Sequence, residues 1–226
     1  MCGRFTLSLP AGDWDWEAEF GIAFPQNFHP RFNIAPTQEV LVIVEDDGGR
    51  RVEAMRWGLI PPWADDPKIG NRLINARAET VFEKPSFKQA ARSRRCLILA
   101  DGFYEWQRRD GHKVPHFIRL RSGCPFGFAG LWEAWHSPGG ETIKSCTIVT
   151  TEANGGLKPI HDRMPVIVGK HDQPDWLSPT LGDRARLEAV LQPYPSEELE
   201  AYPVSTLVNA PGNDVPECTQ PLDSAR

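Results

Sequence analysis

The 226-residue chain is 40% apolar and 10% aromatic, enough to bury one sizeable core, and a single compact domain is expected. No run approaches the roughly 18 uncharged apolar residues of a membrane span, and the N-terminus lacks the charged and apolar regions of a secretory signal, so a cytoplasmic protein is expected. The net charge of −5 taken alone argues against a nucleic-acid partner, yet residues 51–121 hold 15 Lys or Arg against 8 Asp or Glu, net +7, leaving −12 for the remainder. A basic middle in an acidic protein fits a localised phosphate-binding face, although Lys84, Lys88, Arg92, Arg94 and Arg95 would also read this way along the wet side of a helix.

In chain order, Asp13 is placed to cap a helix over Trp14 to Phe20, and Val40 to Val44 reads as a strand. Ser86 is placed to cap a helix over Phe87 to Arg95, followed by strands at Cys96 to Ala100, Phe126 to Leu131, Thr147 to Thr151 and Met164 to Val168. Asp183 is placed to cap Arg184 to Leu191, with Leu187, Val190 and Leu191 on one face, and Tyr202 to Val208 closes the series as a strand. These short β-branched or apolar runs, bounded by Gly, Pro, Asp or Asn, predict a strand-rich α+β domain over 1–210, with a loose polar tail over 211–226. There is no βαβ alternation, no GxGxxG and no Walker-type loop, so no nucleotide cofactor is expected. No metal is expected either: His112 and His116 stand four apart, but Pro115 lies between them and would break a helix presenting both to one ion.

Five cysteines, at 2, 96, 124, 146 and 218, follow neither a CxxC nor a disulfide-framework spacing and read as separate thiols. Cys2 differs from the others by its position. It directly follows Met1 and is small enough that methionine removal is expected, which would leave an α-amine and a thiol on one residue. With ordinary pKa values of about 7.7–8.0 and about 8.5, both groups have an accessible nucleophilic form near neutral pH. An aldehyde meeting this pair forms an imine that the sulfur closes to a thiazolidine, whereas an ester or amide is attacked by the sulfur alone.

Four polar residues are set among apolar or aromatic neighbours: Asn33 in Arg31 to Pro36, Asn75 in Leu73 to Arg77, Glu105 between Tyr104 and Trp106, and His161 in Ile160 to Pro165. A buried polar group needs a partner, and a carboxyl between aromatics is expected to have a raised pKa, which makes Glu105 a candidate acid or base near neutral pH. An arginine salt bridge for Glu105, a backbone bond for His161 and a satisfied turn for Asn75 are the structural alternatives.

Taken together, Cys2-Gly3-Arg4-Phe5, Arg31 to Pro36, Trp57 to Trp63, Asn75 to Thr80, Ala100 to Trp106, Ala129 to Glu133 and His161 to Pro165 resemble, in order, the SRAP family of abasic-site processing proteins. The resemblance runs from Cys2 to about Asn209. It implies mixed and antiparallel sheets curled into a barrel-like core with a few peripheral helices. It also implies a covalent thiazolidine between the mature N-terminal cysteine and abasic sites in single-stranded DNA. Under it, Cys2, Asn75, Glu105 and His161 match the catalytic set, while Arg4, Arg77 and Arg163 match phosphate-binding arginines. Asn33 and the loop-borne Trp63 join them as DNA contacts, and the protein is expected to act as a monomer, associated with the nucleoid when on DNA. The rival reading is an N-terminal-nucleophile thiol hydrolase, either a glutamine amidohydrolase or a peptidase pairing Cys2 with His161. The Asn-Gly-Glu or Asn-Gly-Asp pair and the Arg-Gly-Asp stretch of the amidohydrolases do not occur in the sequence.

Overall fold

The computed structural model describes residues 2–9 and 12–222 and contains two β-sheets flanked by short helices. Its centre is a closed ring of five strands: β3 (Glu39–Asp46), β4 (Gly49–Trp57), β6 (Arg95–Ala100), β9 (Phe126–His136) and β10 (Thr142–Glu152). Pairing runs β10-β4-β3-β6-β9 and returns to β10, with β4 and β10 parallel and the other neighbours antiparallel. Closure leaves these five strands without free edges. Every residue of β6 is buried, as a strand covered on both faces requires. Gly130 of β9 permits close approach of β6, since a Cβ there would lie 2.7 Å from the Cys96 sulfur.

Three short strands extend this sheet. The strand β5 (Asn75–Arg77) runs parallel to β10, with Asn75 opposite Ile148, and β11 (Arg163–Pro165) pairs with the same strand through Arg163 and Glu152. The third, β12 (Ile167–Val168), pairs with β9. The predicted strand from Met164 to Val168 is thus divided: its first half lies on β10, its second on β9, and Val166 bonds to both through Val149 and Ala129.

The second sheet has the order β13 (Leu199–Pro203), β8 (His112–Leu120), β7 (Gly102–Arg109), β1 (Phe5–Leu7) and β2 (Arg31–Ile34). It is anchored on the barrel by aromatic edges: the Phe5 ring lies 5.1 Å from that of Trp57 and 5.8 Å from that of Phe128. Strand β1 pairs antiparallel with β7, Phe5 opposite Phe103, and the Tyr104 amide donates to the Arg4 carbonyl. That register carries residues 2–4 alongside 104–106, and so fixes the start of the chain beside Glu105.

The helices are short: α1 (Trp16–Phe20), α2 (Lys88–Ser93), α3 (Gln173–Leu177) and α4 (Arg184–Val190). Asp183 caps α4 as expected, its carboxylate accepting from the Ala185 and Arg186 amides. Two other caps differ from expectation. Asp15 rather than Asp13 starts α1, because its carboxylate reaches the Ala18 amide at 2.9 Å, and α2 begins after Phe87 without a side-chain cap from Ser86. The predicted strand from Tyr202 to Val208 ends at Pro203, and Ser205 then caps a 3-10 turn over Thr206–Asn209.

Residues 211–222 are packed rather than loose, correcting the expectation of a free tail. Cys218 is fully buried, Val204 bridges to Pro221, and the Leu222 amide donates to the Pro203 carbonyl. Met1 and residues 223–226, on which the expectations of methionine removal and of the tail's end fall, lie outside the described residues. Among the described residues, no helix is long and apolar enough to cross a membrane.

Candidate active site

Four distant segments converge at the start of the chain. Cys2 enters from the end of β1, Asn75 from β5, Glu105 from β7, and His161 from the turn before β11. The Asn75 Nδ2 group donates to the Cys2 carbonyl at 2.8 Å, which leaves Asn75 Oδ1 buried and without a hydrogen-bond partner among the described residues. Cys2 itself is fully buried, its Sγ facing the Arg4 carbonyl at 3.8 Å. Burial, and after it the negative charge of Glu105, push its thiol well above the usual range. The thiol therefore needs a base, and the carboxyl whose field it feels is a neighbouring candidate.

Glu105 is 4% exposed, and burial raises its pKa to about 7. His161 Nε2 lies 4.0 Å from Glu105 Oε2. On the other side of the ring, the Arg163 amide donates to Nδ1 at 3.0 Å. The Asp162 carboxylate, 2.9 Å from Nδ1, favours the charged ring, but burial outweighs it and His161 titrates below its ordinary value. Near pH 7 the pair thus offers a carboxyl poised between its two states and a neutral imidazole.

The arginines divide by what they touch. Arg163 is held by Glu79 in a two-pronged bond of 2.5 and 3.0 Å and by the Thr150 carbonyl at 2.6 Å, so its charge is largely compensated. Arg4 is surrounded by neutral groups: one Nη1 donates to Asn33 Oδ1 at 2.7 Å and to the Val208 carbonyl at 2.6 Å, and the guanidinium lies 6.0 Å from the Trp106 ring centre. Burial depresses its pKa, as expected for a cation drawn from water with no carboxylate partner among the described residues. Arg77 is exposed at the end of β5.

Trp63 is 55% exposed beside a cavity of about 420 Å³ that it lines with Asp65, Asp66, Lys68 and Arg72. Trp106 and Trp132 are partly buried, each packed against a cluster of buried apolar residues. Asn33, expected at the DNA, is fully buried with its amide bonded to protein groups. Sequence reasoning passed over Asp101, whose carboxylate accepts from the Thr6 hydroxyl, from the Ser8 amide at 2.6 Å and hydroxyl at 2.7 Å, and from the Leu9 amide at 2.9 Å. It pins the far end of β1 and thereby the strand that presents Cys2. The available signal was an aspartate directly after a fully apolar strand, in Leu97 to Asp101.

The family model for SOS response associated peptidase (SRAP) matches residues 1–211. The chain belongs to this family. It is 48% identical over 219 residues to abasic site processing protein YoqW of Bacillus subtilis (strain 168), an alignment covering 96% of this chain and 98% of that one. It is 33% identical to abasic site processing protein HMCES of Mus musculus, over 88% of this chain and 67% of that protein. A crystal structure of a Bacteroides thetaiotaomicron protein superposes with a TM-score of 0.87 at 26% identity, covering 98% of this SRAP chain and all of the other. The strand-rich fold with its closed barrel is that of this structural neighbour.

Proposed function

We propose that this SRAP protein senses abasic sites in single-stranded DNA and links itself covalently to them through Cys2 once Met1 is removed. The observation that carries the proposal is a penultimate cysteine whose thiol lies in the field of a buried carboxyl with a pKa of about 7. The names of the relatives, abasic site processing proteins, support the choice of substrate.

In the proposed sequence, His161 assists opening of the abasic sugar to its aldehyde. The free Cys2 amine adds to the aldehyde carbon to give a carbinolamine, and protonated Glu105 delivers a proton to the departing hydroxyl, which leaves as water with formation of the protonated imine. The resulting carboxylate takes the thiol proton. Sulfur then bonds to the carbon of the protonated imine and the carbon–nitrogen π pair moves to nitrogen, which keeps its one proton, closing a neutral thiazolidine. The net change is loss of one water, and Glu105 ends as it began. Asn75 holds the Cys2 carbonyl, and its open Oδ1 is available to the amine or to a sugar hydroxyl.

Arg4 supplies a cation for a backbone phosphate next to the nucleophile, Arg77 a second at the exposed end of β5, and Trp63 a ring on which a flanking base can stack. A nucleotide without a base enters such an enclosed site at low unstacking cost. The protein acts as a monomer on nucleoid DNA in this reading. Cleavage of the Met1 bond or of the DNA by the same groups would be a further activity of this site. Intact-mass measurement after incubation with an abasic oligonucleotide tests the proposal. The expected product has the summed mass of processed protein and DNA less one water; absence of that species, with an intact oligonucleotide as control, would refute it.

A further inference from the structure

We infer that the C-terminal strap over Ser205 to Asp214 positions the phosphate-binding arginine beside the nucleophile, with Asn33 and Asp214 as its positioning residues. The inference rests on the reading of Arg4 given above, and it assigns work to a segment that the sequence reads as the end of a strand and the start of a loose tail.

Asn33 is the hub. Its Oδ1 accepts from Arg4, while its Nδ2 faces three strap carbonyls: Val208 at 3.3 Å, Ala210 at 3.1 Å and Asn213 at 2.7 Å. The orientation of this amide is therefore determined, because exchanging O and N would set a donor against Arg4 and an acceptor against three carbonyls. The Val208 carbonyl also accepts from Arg4 directly, so the strap grips the guanidinium both through Asn33 and by itself.

Asp214 closes the loop from the other side. Its Oδ1 accepts from the Phe32 amide at 2.5 Å and the Asn33 amide at 2.9 Å, and its Oδ2 from Arg31 Nε at 2.8 Å. A carboxylate thus bonds the exposed edge of β2 and holds the strap to the strand that carries Asn33. A third tie runs from Trp106 Nε1 to Asn209 Oδ1 at 2.8 Å, and the Trp106 ring lies under the Arg4 guanidinium.

The chemistry of this cradle is informative. A half-buried arginine is usually matched by a carboxylate, as Arg31 is by Asp214 and Arg163 by Glu79. Around Arg4 the strap supplies amide and carbonyl oxygens, which fix the guanidinium's direction and leave its full charge for an incoming anion. Because Arg4 is two residues from Cys2 and its carbonyl faces the Cys2 thiol, a shift of the strap reaches the nucleophile along the same short segment.

Binding of single-stranded abasic DNA as a function of salt, together with NMR of the arginine side chains without DNA, tests this. Asn33→Ala and the milder Asp214→Asn should both increase exchange of the Arg4 Nη protons, which Asn33 and the Val208 carbonyl accept, in the free protein. Both should also lower the slope of log affinity against log salt toward that of Arg4→Ala, a drop of about 0.7 for one phosphate on a single strand. Combining Asn33→Ala with Arg4→Ala should lower the slope no further. Asp214→Asn keeps the side chain's size, so the question stays open to measurement if Asn33→Ala fails to fold. Unchanged Arg4 exchange in a folded Asp214→Asn protein, or a salt slope in which the Arg4 and Asn33 effects add, overturns the inference. If wild type shows no salt-dependent affinity for the DNA, the functional reading fails instead, and the exchange measurement still decides whether the strap holds Arg4.

Discussion

Replacing Glu105 by glutamine removes the titrating proton while keeping the side chain's size, and the structure predicts two separate consequences. The first concerns stability. At 4% exposure the carboxyl is shifted by burial from an ordinary value of 4.5 to about 7. Below the ordinary value both folded and unfolded chains hold the proton, and the group adds no pH dependence. Between that value and the folded one, the unfolded chain has released its proton while the folded chain retains it, so stability falls as pH rises and levels off above about 7. At 1.36 kcal/mol per unit, the whole fall is on the order of 3 kcal/mol. In a chain of this length that corresponds to roughly 6–12 °C in Tm. Glutamine cannot ionise, so Glu105→Gln should be more stable than wild type at pH 8 and close to it near pH 5.

The second consequence concerns rate. General acid–base catalysis by one side chain contributes about 100-fold to 10,000-fold, and glutamine can neither protonate the departing hydroxyl nor accept the thiol proton. Single-turnover crosslinking at saturating abasic DNA should therefore slow by about 100-fold or more. The wild-type optimum near neutral pH should flatten in the variant, and release of DNA from a preformed adduct should slow in parallel, since the same proton moves in reverse. Melting curves and crosslinking rates on the same preparations from pH 5 to pH 9 make the comparison. Equal rates and superimposable pH profiles would assign Glu105 to structure and refute the proton-shuttle argument. A slowed rate with the wild-type pH dependence of stability intact would place the titrating buried acid elsewhere, with Glu133, also raised by burial, the next group to substitute.

Because both heteroatoms of the thiazolidine come from Cys2, Cys2→Ala should lose the heat-stable adduct while retaining noncovalent binding, and Cys2→Ser should leave at most a hydrolysable imine or oxazolidine, as resolved by denaturing gels and mass. Arg4→Ala and Arg77→Ala should each lower the salt slope of binding by about 0.7. Arg163→Ala should lower it less and reduce Tm instead, because it breaks the bonds to Glu79 and Thr150. His161→Ala should slow sugar opening, so that a substrate already presented as an aldehyde partly restores the rate; equal slowing with both substrates would move His161 to a later step.

The residues of the proposed site were legible because their chemistry conflicts with their setting. A glutamate between Tyr104 and Trp106 and a cysteine directly after Met1 stand out without any knowledge of the fold. Most of the barrel strands were legible for the complementary reason: Cys96 to Ala100 and Thr147 to Thr151 are apolar or β-branched throughout and lie within β6 and β10. The second sheet was harder to read. In β7 and β8 the ends are polar and exposed, as in Arg108 and Arg109 and in His112 and Lys113, and Pro115 interrupts the run, so the strand signal fades where the hairpin leaves the core. The strap was illegible because its stability comes from single long-range bonds. Asp214 reaches Phe32 and Asn33 across 182 and 181 residues, and no local periodicity records such a contact.

The same distinction explains why the basic middle of the sequence is an imperfect guide to the phosphate face. A count of charges registers formal charge, whereas a phosphate responds to what remains after neighbouring groups have acted. Within 51–121, Arg94 is matched by the buried Glu133 at 2.9 Å, Arg119 by Glu200 at 2.6 Å, and Arg51 by Asp46 and Glu53. Arg95 is 2% exposed and bonded to the carbonyls of Ala91, Arg92, Trp176, Ser178 and Leu181, which makes it a clamp between α2, β6 and α3. Arg4 lies outside the basic stretch, yet it is the half-buried guanidinium that the fold surrounds with neutral oxygens beside Cys2. In an acidic protein this is the more effective arrangement. An uncompensated charge in partly desolvated surroundings attracts a phosphate more strongly than several surface charges already matched by carboxylates, and in the proposed reaction its position next to Cys2 would convert that attraction into alignment of the reacting sugar.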